Sequence, residues 1–401
     1  MRTVVVVGAG IAGTTAAATL RQQGYDGRLV LAGAEPVAPY RRPALSKEVL
    51  RGAKDVTEVA VKPAGWYDAQ DIELLTGTTV SELDVPGRTV TVDGARLGWD
   101  AAVLATGGRP RLLPGTPAGV HTLRTAADVP ALRAALRPGA RVVVVGAGFL
   151  GAEVAATART LDCAVTLLEA APVPLGRLLP PVVAEVYARL HRDRGVDLRL
   201  GVGVARVEAH RVVGTDGTEW PADAVVVAVG MDAEVALAEQ AGLAVDGGIV
   251  TDAHGRTSAP GVWAAGDVAA FPDPVTGLPR RTEHWQSAVS QGAVVARNLL
   301  GAGAPLDEVP WCWSDQYGVN LQVCGSPRSD DAVRIRGSLD AGSFTAVFAR
   351  DGVLSGAIGV DRPGDIRVLR KLLATAPETP LDLVADEGTE LAGLAAPARS
   401  A

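Results

Sequence analysis

The feature that most constrains the fold is a phrase that occurs twice, as VVVVGAGIAG from residue 4 and as VVVVGAGFLG from residue 142. In each copy, four valines typical of a buried strand lead into a G-x-G-x-x-G turn and then into an alanine-rich segment typical of a helix. Such a strand–turn–helix unit binds the pyrophosphate of a dinucleotide at the start of its helix. One motif of this kind is a weak indication, but two in the same context predict two dinucleotide sites in one chain.

The three glycines of each copy are expected to serve different purposes. The first permits a tight turn, the second lets the backbone approach the pyrophosphate, and the third lets the helix pack closely on its strand. In the two copies these residues are, in order, Gly8, Gly10 and Gly13, and Gly146, Gly148 and Gly151. We therefore predict that all six glycines shape cofactor sites.

Composition and charge narrow the range of partners. The chain has 401 residues, of which 48% are hydrophobic, and a formal net charge of −7, so it can form two or three domains with complete cores. We expect neither nucleic acid nor an anionic membrane as a partner. The sequence has no apolar run near the roughly 18 residues that cross a bilayer. Residues 3–7 already read as a strand without features of a signal peptide, which predicts a cytoplasmic protein.

Predicted strands and helices alternate through most of the chain. The first unit contains a strand at 3–7, a helix at 11–23, a strand at 28–32, β-like runs at 78–84 and 88–93, and a buried strand within 101–110. The second unit contains strands at 141–145, 164–168 and 225–230 and a helix at 149–161. This alternation predicts parallel sheets that are covered by helices on both faces.

The texture of the chain changes from about residue 309. A helix from about 283 to 300 precedes alternating segments such as 344–350 and 353–360, typical of an antiparallel sheet, and a basic helix at 365–374. We predict an α/β fold with two Rossmann-like dinucleotide-binding domains and an α+β C-terminal domain. The predicted boundaries are 1–108 with 233–308 for the first, discontinuous domain, 109–232 for the second and 309–401 for the third.

An acidic residue follows each phrase, about 20 residues further on, at the end of the next predicted strand. Glu35 and Glu169 are placed where a carboxylate would accept a hydrogen bond from a ribose 2′-hydroxyl. A carboxylate repels a 2′-phosphate, so Glu169 favours NADH over NADPH at the second site. Arg159 and Arg177 are near enough in sequence to leave NADPH open, and a solvated strand end is the alternative for both glutamates.

The first site suits FAD better than the second. Asp267, in the segment VWAAGD, follows a predicted strand and could bind ribityl hydroxyls beside a glycine that admits the flavin chain. A Gly-Asp turn is common by itself. Here it occurs together with an N-terminal phosphate motif and a glycine-rich strand end at 105–110, and the combination predicts FAD at the first copy and NADH at the second.

The cysteines argue against one route for the electrons. Cys163, Cys312 and Cys324 include no C-x-x-C pair and do not have the spacing of a zinc site, so we predict no metal site. Flavin-dependent disulfide reductases need a close cysteine pair beside the flavin, and no cysteine precedes Cys163. We expect all three to be buried as small apolar groups. Electrons would then leave the flavin without a protein thiol.

Six motifs occur in order along the chain, namely PYRRPALSK (39–47), ATGGRP (105–110), LRTAAD (123–128), VWAAGD (262–267), EHWQSAVSQG (283–292) and WSDQY (313–317). In these motifs the chain resembles the FAD-dependent NAD(P)H:ferredoxin reductase family of bacterial cytochrome P450 and aromatic-ring dioxygenase systems, over roughly residues 3–375. The resemblance implies a glutathione-reductase-type fold with FAD- and NAD-binding domains. It also implies transfer of a hydride from NADH to tightly bound, non-covalent FAD, and then of single electrons to an iron–sulfur ferredoxin that supplies a P450 or a ring-hydroxylating oxygenase.

The resemblance also assigns roles to individual residues. Lys47, close to the flavin N5, and Glu153, facing it near the nicotinamide, form the implied catalytic pair; the alternatives are a surface lysine and a glutamate that stabilises the start of its helix. The implied FAD shell comprises Glu35, Arg42, Lys47, Val80, Ala105, Thr106, Gly107, Arg124, Asp267, Glu283, His284 and Trp285. On the NAD side it adds Glu169, Arg177 and Gly230. The chain departs from the family where Met231, Asp232 and Ala233 replace the usual Pro-Asn after Gly230.

A ferredoxin is expected to dock near the flavin edge. Trp313 and a basic helix face formed by Arg367, Arg370 and Lys371 are the predicted docking residues, with a merely solvated charged face as the alternative. Two other functions stay open on the sequence. One is an NADH oxidase or a rubredoxin reductase, and the other is a non-enzymatic flavoprotein that responds to NADH.

Overall fold

The computed structural model describes residues 1–176, 178–273 and 276–395. Its first sheet has five parallel strands, in the order Val262–Ala264, Ala101–Leu104, Thr3–Val7, Arg28–Gly33 and Ile72–Thr76. The central strand is the valine run of the first phrase, and Val4, Val5 and Val6 in it have no exposed surface. A continuous apolar strand suits this position because both faces of the sheet are covered.

The second sheet repeats this plan with four parallel strands. Their order is Asp197–Leu200, Ala164–Glu169, Arg141–Val145 and Ala224–Val227. The valine run of the second phrase is again an inner strand, paired with a neighbour on each side. The last strand ends at Val227, three residues before the predicted limit, so the chain reaches Gly230 in an irregular turn.

Helices Ile11–Gln22 and Phe149–Thr160 begin directly after the two glycine turns. The first of them packs closely on helix Trp285–Leu299. Gly292 permits this close approach, since a Cβ atom there would lie only 2.3 Å from the Ala12 carbonyl oxygen. The other α-helices are Trp66–Ala69, Val129–Ala135, Pro181–Asp193, Ala236–Gln240, Pro363–Thr375, Leu381–Ala385 and Leu391–Leu394. Short 3₁₀ turns occupy Arg42–Ala44, Val56–Val59 and Ala126–Asp128, and Leu45–Val49 is π-helical.

The chain after residue 310 forms a separate antiparallel sheet. Its strand order is Trp311–Gln316, Val319–Gly325, Val353–Val360, Ser343–Arg350 and Ala332–Ser338. Helix Pro363–Thr375 covers one face of this sheet through Ile366, Leu369 and Leu372. The alternating residues of the strands therefore pack under the helix, as the sequence pattern predicted.

Small sheets complete the architecture. They contain Val80–Asp84, Thr89–Val92 and Ala95–Gly98; Val204–Glu208, Arg211–Gly214 and Glu219–Pro221; Ile249–Val250, Ala269–Pro272 and Pro279–Arg281; and Gly108–Pro110 with Met231–Ala233. The last pair forms where the sequence departs from the family pattern after Gly230. The predicted fold class is confirmed: two parallel α/β units and an antiparallel C-terminal sheet with helices.

Several elements were not predicted, including helix Pro181–Asp193 and strand Ile72–Thr76. Helix Pro181–Asp193 begins with a proline at its first position, and Val183, Tyr187 and His191 are buried along one stripe at i, i+4 spacing. This signal is present in the sequence but is diluted by the charged residues between the apolar ones. Strand Ile72–Thr76 is a short sheet edge, and only its first residue is fully buried, so its period is weak.

Candidate functional site

Both glycine motifs open into one cavity of about 1560 Å³. Single small-molecule pockets are usually roughly 300–1,000 Å³, so this volume suits more than one ligand. The predicted site residues that line it are Gly8, Gly10, Glu35, Arg42, Lys47, Val80, Ala105, Thr106, Gly107, Arg124, Gly146, Gly148, Glu153, Glu169, Gly230, Asp267, Glu283, His284, Trp285 and Trp313. Arg177 lies outside the described residues.

The two glycine turns have matching geometry. Gly8 adopts a φ of +108°, and a Cβ atom there would lie 2.1 Å from the Ala105 carbonyl oxygen. Gly146 has the same character, with a φ of +99° and a Cβ position 2.5 Å from the Ala228 oxygen. A side chain at either position would therefore clash with the backbone at the end of the neighbouring strand, Ala101–Leu104 in the first sheet and Ala224–Val227 in the second.

The other glycines divide into an open pair and a packed pair. Gly10 and Gly148 cap their helices without a side-chain hydrogen bond, and a Cβ atom on either would meet nothing within 4 Å. By contrast, a Cβ atom on Gly13 or Gly151 would lie 2.0 or 1.9 Å from the carbonyl oxygen of its own turn. The open pair leaves free space and free backbone N–H groups at a helix start, which fits a pyrophosphate.

Glu35 is held in a polar cluster at the end of strand Arg28–Gly33. Its carboxylate accepts hydrogen bonds from the Tyr40 hydroxyl at 2.6 Å and from Arg42 at 2.8 Å, and also contacts the Ala126 N–H. Burial raises the pKa of Tyr40, so its hydroxyl remains a donor. The cluster faces the cavity beside Gly8 and Gly10, where the predicted contact to a ribose would be made.

Glu169 contacts the second turn directly. One oxygen accepts a hydrogen bond from the Ala147 N–H at 2.7 Å, within the G-x-G segment, and the other accepts one from Ala171 at 2.8 Å. The carboxylate is thereby fixed at the mouth of the second site. Arg159, which could have attracted a 2′-phosphate, instead donates to the carbonyl oxygens of Arg194 and Cys163.

Asp267 and Arg124 form an ion pair of 2.9 Å at the first site. Arg124 also donates to the Gly108 oxygen at 3.1 Å, and its own carbonyl accepts a hydrogen bond from Arg42. The arginines thus connect Asp267 to the cluster around Glu35. These residues come from widely separated motifs, and the fold brings them to one wall of the cavity.

The motif at 283–285 closes the cavity from the side of helix Trp285–Leu299. Burial raises the pKa of Glu283, which is paired with Arg281 at 3.0 Å. Burial also lowers the pKa of His284, which favours the neutral imidazole. The His284 ring meets the Phe149 ring edge-on at 6.1 Å, so it touches the first residue of the helix behind the second glycine turn.

Lys47 and Glu153 form an ion pair in the wall of the cavity that the two glycine turns share. Lys47 Nζ lies 2.7 Å from Glu153 Oε2, and the two side chains are only 14% and 8% exposed, so Lys47 is not a surface lysine. Glu153 also accepts hydrogen bonds from Ser46 at 2.6 Å and from Ser314 at 2.7 Å. An ammonium and two hydroxyls therefore surround this carboxylate.

The alternative prediction, that Glu153 stabilises the start of its helix, is wrong. The first turn of helix Phe149–Thr160 contains no acidic residue, because Glu153 is the fifth residue of the helix. The dipole acts mainly within the first turn. The carboxylate is instead stabilised by Lys47, Ser46 and Ser314. The two serines were not predicted as site residues, although Ser46 lies in the motif at 39–47 and Ser314 in the motif at 313–317.

The predicted docking residues do not share one environment. Arg367 and Lys371 are exposed on helix Pro363–Thr375. Arg370 is half-buried, lies over the Trp311 ring at 4.8 Å and contacts Glu308 at 3.6 Å. Trp311 in turn stacks on Trp313 with ring centroids 5.1 Å apart, so an aromatic pair extends from the cavity wall towards Arg370.

The cysteines are free and buried. Burial raises the pKa of Cys312 and of Cys324 to about 12 each, and it also raises the pKa of Cys163. Such thiols stay protonated and unreactive near neutral pH. Cys312 lines the cavity but packs there as an apolar group, as expected.

Within the described ranges, no helix is long and apolar enough to cross a membrane. The same part of the chain holds no group of three or more His, Cys, Asp or Glu side chains that could bind a metal ion.

The chain matches two known families. The model for pyridine nucleotide-disulphide oxidoreductases matches residues 2–292, and that for the reductase C-terminal domain matches residues 311–395. The ferredoxin–NAD(+) reductase component of the anthranilate 1,2-dioxygenase system from Burkholderia cepacia is 42% identical over 92% of this chain and 93% of its own length. Rhodocoxin reductase from Rhodococcus erythropolis is 39% identical over 94% and 90%.

A solved structure extends the likeness to three dimensions. The covalent putidaredoxin reductase–putidaredoxin complex contains a chain with a TM-score of 0.93 and 35% identity, with 98% of each chain covered. The similarity therefore includes both parallel sheets and the C-terminal sheet.

Proposed function

The chain belongs to the pyridine nucleotide-disulphide oxidoreductase family, and on this basis we propose that it is a reductase that transfers electrons from NADH, through FAD, to an iron–sulfur ferredoxin. The ferredoxin would supply a cytochrome P450 or a ring-hydroxylating oxygenase. The first relative named above is the ferredoxin–NAD(+) reductase component of a dioxygenase system, and another was captured in a covalent complex with putidaredoxin. FAD and NADH are the cofactors that the family implies.

The observation that carries the proposal is the arrangement of one cavity around two glycine turns. The cavity is lined by the open positions at Gly10 and Gly148 and by the Lys47–Glu153 pair. Two nucleotides bound at the two helix starts would extend towards this pair. Because the cavity cysteine is buried and protonated, the chemistry of a thiol relay is not available to it.

We assign FAD to the first turn, with Glu35, Arg42, Arg124 and Asp267 as the polar wall that would hold it. When bound, FAD accepts a hydride from NADH and releases the electrons one at a time. The Lys47 ammonium would stabilise negative charge beside the flavin ring. Glu153 keeps this ammonium in place and orients it.

NADH is assigned to the second turn. Glu169 accepts hydrogen bonds from two backbone N–H groups, which holds its charge where the ribose would lie. A 2′-phosphate would meet this carboxylate, and Arg159 is engaged by backbone oxygens. We therefore expect NADH to be preferred over NADPH.

The proposed domain boundaries follow from the assignment of FAD to the first turn and NADH to the second. We assign FAD binding to 1–108 with 233–308, NAD binding to 109–232 and the interface domain to 309–401. We also propose that the protein lies in the cytoplasm, because the three cysteines of the chain are free thiols.

Rapid mixing under anaerobic conditions tests the function. The FAD-loaded protein is mixed with NADH or NADPH while the flavin absorbance is followed, and the reduced protein is then mixed with an oxidised [2Fe–2S] ferredoxin, a rubredoxin or oxygen. We expect fast reduction by NADH, slower reduction by NADPH, and fast reoxidation by the ferredoxin alone. Fast reoxidation by oxygen or rubredoxin but not by any ferredoxin would instead make the protein an oxidase or a rubredoxin reductase. Reduced flavin that no acceptor reoxidises would indicate the non-enzymatic role.

A further inference from the structure

A row of buried hydrogen bonds leads away from Glu153 into the C-terminal sheet. Ser314 Oγ lies 2.7 Å from Glu153 Oε1, and Gln316 Nε2 lies 3.1 Å from Ser314 Oγ. The Gln316 oxygen is 2.8 Å from His191 Nε2, and His191 Nδ1 is 3.1 Å from the Tyr317 hydroxyl. We name these four residues, Ser314, Gln316, His191 and Tyr317, the donor chain.

The chemistry of the groups sets one direction for every bond. Glu153 can only accept, so the Ser314 hydroxyl donates to it, and the Gln316 amide N–H then donates to Ser314. The amide oxygen of Gln316 must accept, which requires a proton on His191 Nε2. His191 Nδ1 is then an acceptor, and the Tyr317 hydroxyl donates to it.

Burial makes this arrangement unambiguous for the inner members. Ser314 and His191 have no exposed surface and Gln316 is 1% exposed, so water cannot replace a lost partner. Burial also lowers the pKa of His191 to about 4, which keeps the ring neutral near neutral pH. Tyr317 lies half-buried at the hairpin turn, under the exposed Arg194, so the donor chain begins near the surface.

The donor chain joins parts of the molecule that are far apart in sequence. Ser314 and Gln316 lie on strand Trp311–Gln316 of the C-terminal sheet, whereas His191 lies on helix Pro181–Asp193. Glu153 lies on the helix that follows the second glycine turn. Fully satisfied buried networks of this kind are rigid, because each member loses its only partners if it moves.

We propose that the donor chain positions Glu153: it occupies Oε1, so that Oε2 is presented to Ser46 and Lys47 at the nicotinamide end of the cavity. Ser314, Gln316 and His191 are thus positioning residues for the hydride step. The inference rests on the proposed function in taking NADH as the reductant. Without Ser314, the carboxylate can rotate away and the Lys47 ammonium loses its fixed partner.

The decisive variant is Ser314→Ala, which removes one buried hydroxyl with little change in volume. Thr345→Val is the matched control, because Thr345 is equally buried in the same sheet and donates to a carboxylate, that of Asp365, away from the cavity. In the FAD-loaded protein we expect Ser314→Ala to slow flavin reduction at saturating NADH by about tenfold or more, the effect of losing a hydrogen bond to a charged group. Thr345→Val should stay within about twofold of the wild type.

A second measurement reads the donor chain itself. In protein labelled with ¹⁵N-histidine, the His191 signals, assigned with His191→Gln, should show the Nε2–H tautomer. Adding NAD⁺ to the oxidised, FAD-loaded protein should shift them, because the nucleotide reaches Glu153 at the other end. In Ser314→Ala this response should be lost, whereas Thr345→Val should keep it. Tyr317→Phe, at the outer end, should slow reduction by no more than about threefold, since it removes only the outermost, half-buried hydroxyl and leaves the bonds from His191 to Glu153 in place.

The outcomes separate this inference from the proposed function. If NADH reduces the wild-type flavin but Ser314→Ala behaves like Thr345→Val in both measurements, the donor chain is structural only and the inference is wrong. A His191 ring with its proton on Nδ1 would overturn it as well. If NADH does not reduce the wild-type flavin, the proposed function fails. The histidine measurement then still decides whether the donor chain exists.

Discussion

Single substitutions of Lys47 or Glu153 test the proposed chemistry most directly, because these two residues form the buried ion pair in the cavity. Lys47→Met removes the ammonium but keeps much of the side-chain volume. We expect flavin reduction by NADH to slow by about 10²-fold, because a preorganised positive group is lost at the reacting end of the cavity. The flavin midpoint potential should become more negative, since reduction adds negative charge there.

The matched control is Lys54→Met, because Lys54 is an exposed lysine of the same segment. Stopped-flow absorbance gives the rate, and reductive titration with a reference dye gives the potential. If Lys47→Met and Lys54→Met give the same rate and potential as the wild type, Lys47 has no role beside the flavin.

His191 gives the molecule a pH-dependent stability. Its pKa is lowered to about 4 by burial, whereas an unfolded histidine titrates near 6.5. The unfolded chain therefore binds the proton first. Stability is complete above about pH 6.5, falls as the pH drops from there to 4, and is lower by up to about 3 kcal/mol at the acid end.

Urea unfolding of the FAD-loaded protein at pH 7.5 and pH 5 measures this loss. His121 and His284, whose pKa values burial also lowers, contribute in the same direction, so the test compares slopes. His191→Gln should lose less stability between the two pH values than the wild type does. An unchanged difference between the two pH values would mean that His191 does not titrate as described.

At the scale of elements, the glycine turns separate folding from binding. Gly13→Ala forces a Cβ atom to within 2.0 Å of the Gly8 oxygen, so it should lower the melting temperature strongly, with a cost of at least about 1–3 kcal/mol. Gly10→Ala meets no protein atom within 4 Å. It should leave the FAD-free protein as stable as the wild type but weaken FAD binding by about tenfold or more, because the methyl group occupies space needed by the pyrophosphate.

Calorimetry of the FAD-free protein and fluorescence titration with FAD measure the two effects. Gly148→Ala extends the comparison to the second turn, where NAD⁺ affinity rather than FAD affinity should fall. Equal loss of FAD affinity in Gly148→Ala would show that the two turns are not assigned to different cofactors.

The same elements show what the sequence can and cannot predict. The valine runs and glycine turns were sufficient to predict both central strands, because a buried parallel strand needs a continuous apolar run. Helix Pro181–Asp193 was missed because charged residues separate its buried stripe. The hydrogen bond that joins this helix to the C-terminal sheet could not be predicted from the sequence, because its two residues, Gln316 and His191, are 125 residues apart.

Some site residues could likewise be predicted from the sequence and others could not. The motifs marked Lys47 and Glu153, but a spacing cannot show that Ser314 reaches the same carboxylate from a third sheet. Arg370 was predicted as part of an exposed face from its helical spacing. It is instead half-buried, because its guanidinium lies over the Trp311 ring and contacts Glu308.

At the scale of the whole molecule, the site exists only where three sheets meet. Lys47 comes after strand Arg28–Gly33 of the first sheet. Glu153 lies on the helix that follows the second glycine turn, and Ser314 belongs to the C-terminal sheet. The C-terminal sheet therefore contributes the Ser314 hydroxyl that contacts Glu153, and it contributes Trp313 to the cavity wall. A partner that docks on this sheet would lie next to the flavin assigned to the first turn.

The exposed cations of helix Pro363–Thr375 are expected to steer an acidic ferredoxin, although the chain as a whole is acidic. Charge reversal at both Arg367→Glu and Lys371→Glu should lower the second-order rate of ferredoxin reduction by about tenfold at low salt. The difference should shrink as ionic strength rises, because exposed charges are screened over about 8–10 Å. Arg370 is left unchanged, since its loss would also disturb the Trp311 stack.

Arg96→Glu is the control, because Arg96 is an exposed cation on strand Ala95–Gly98, which belongs to a different sheet from the C-terminal one. Flavin reduction by NADH should be the same in all three proteins, which separates docking from hydride transfer. If the double reversal leaves the ferredoxin rate and its salt dependence equal to those of Arg96→Glu, the basic face is only solvated.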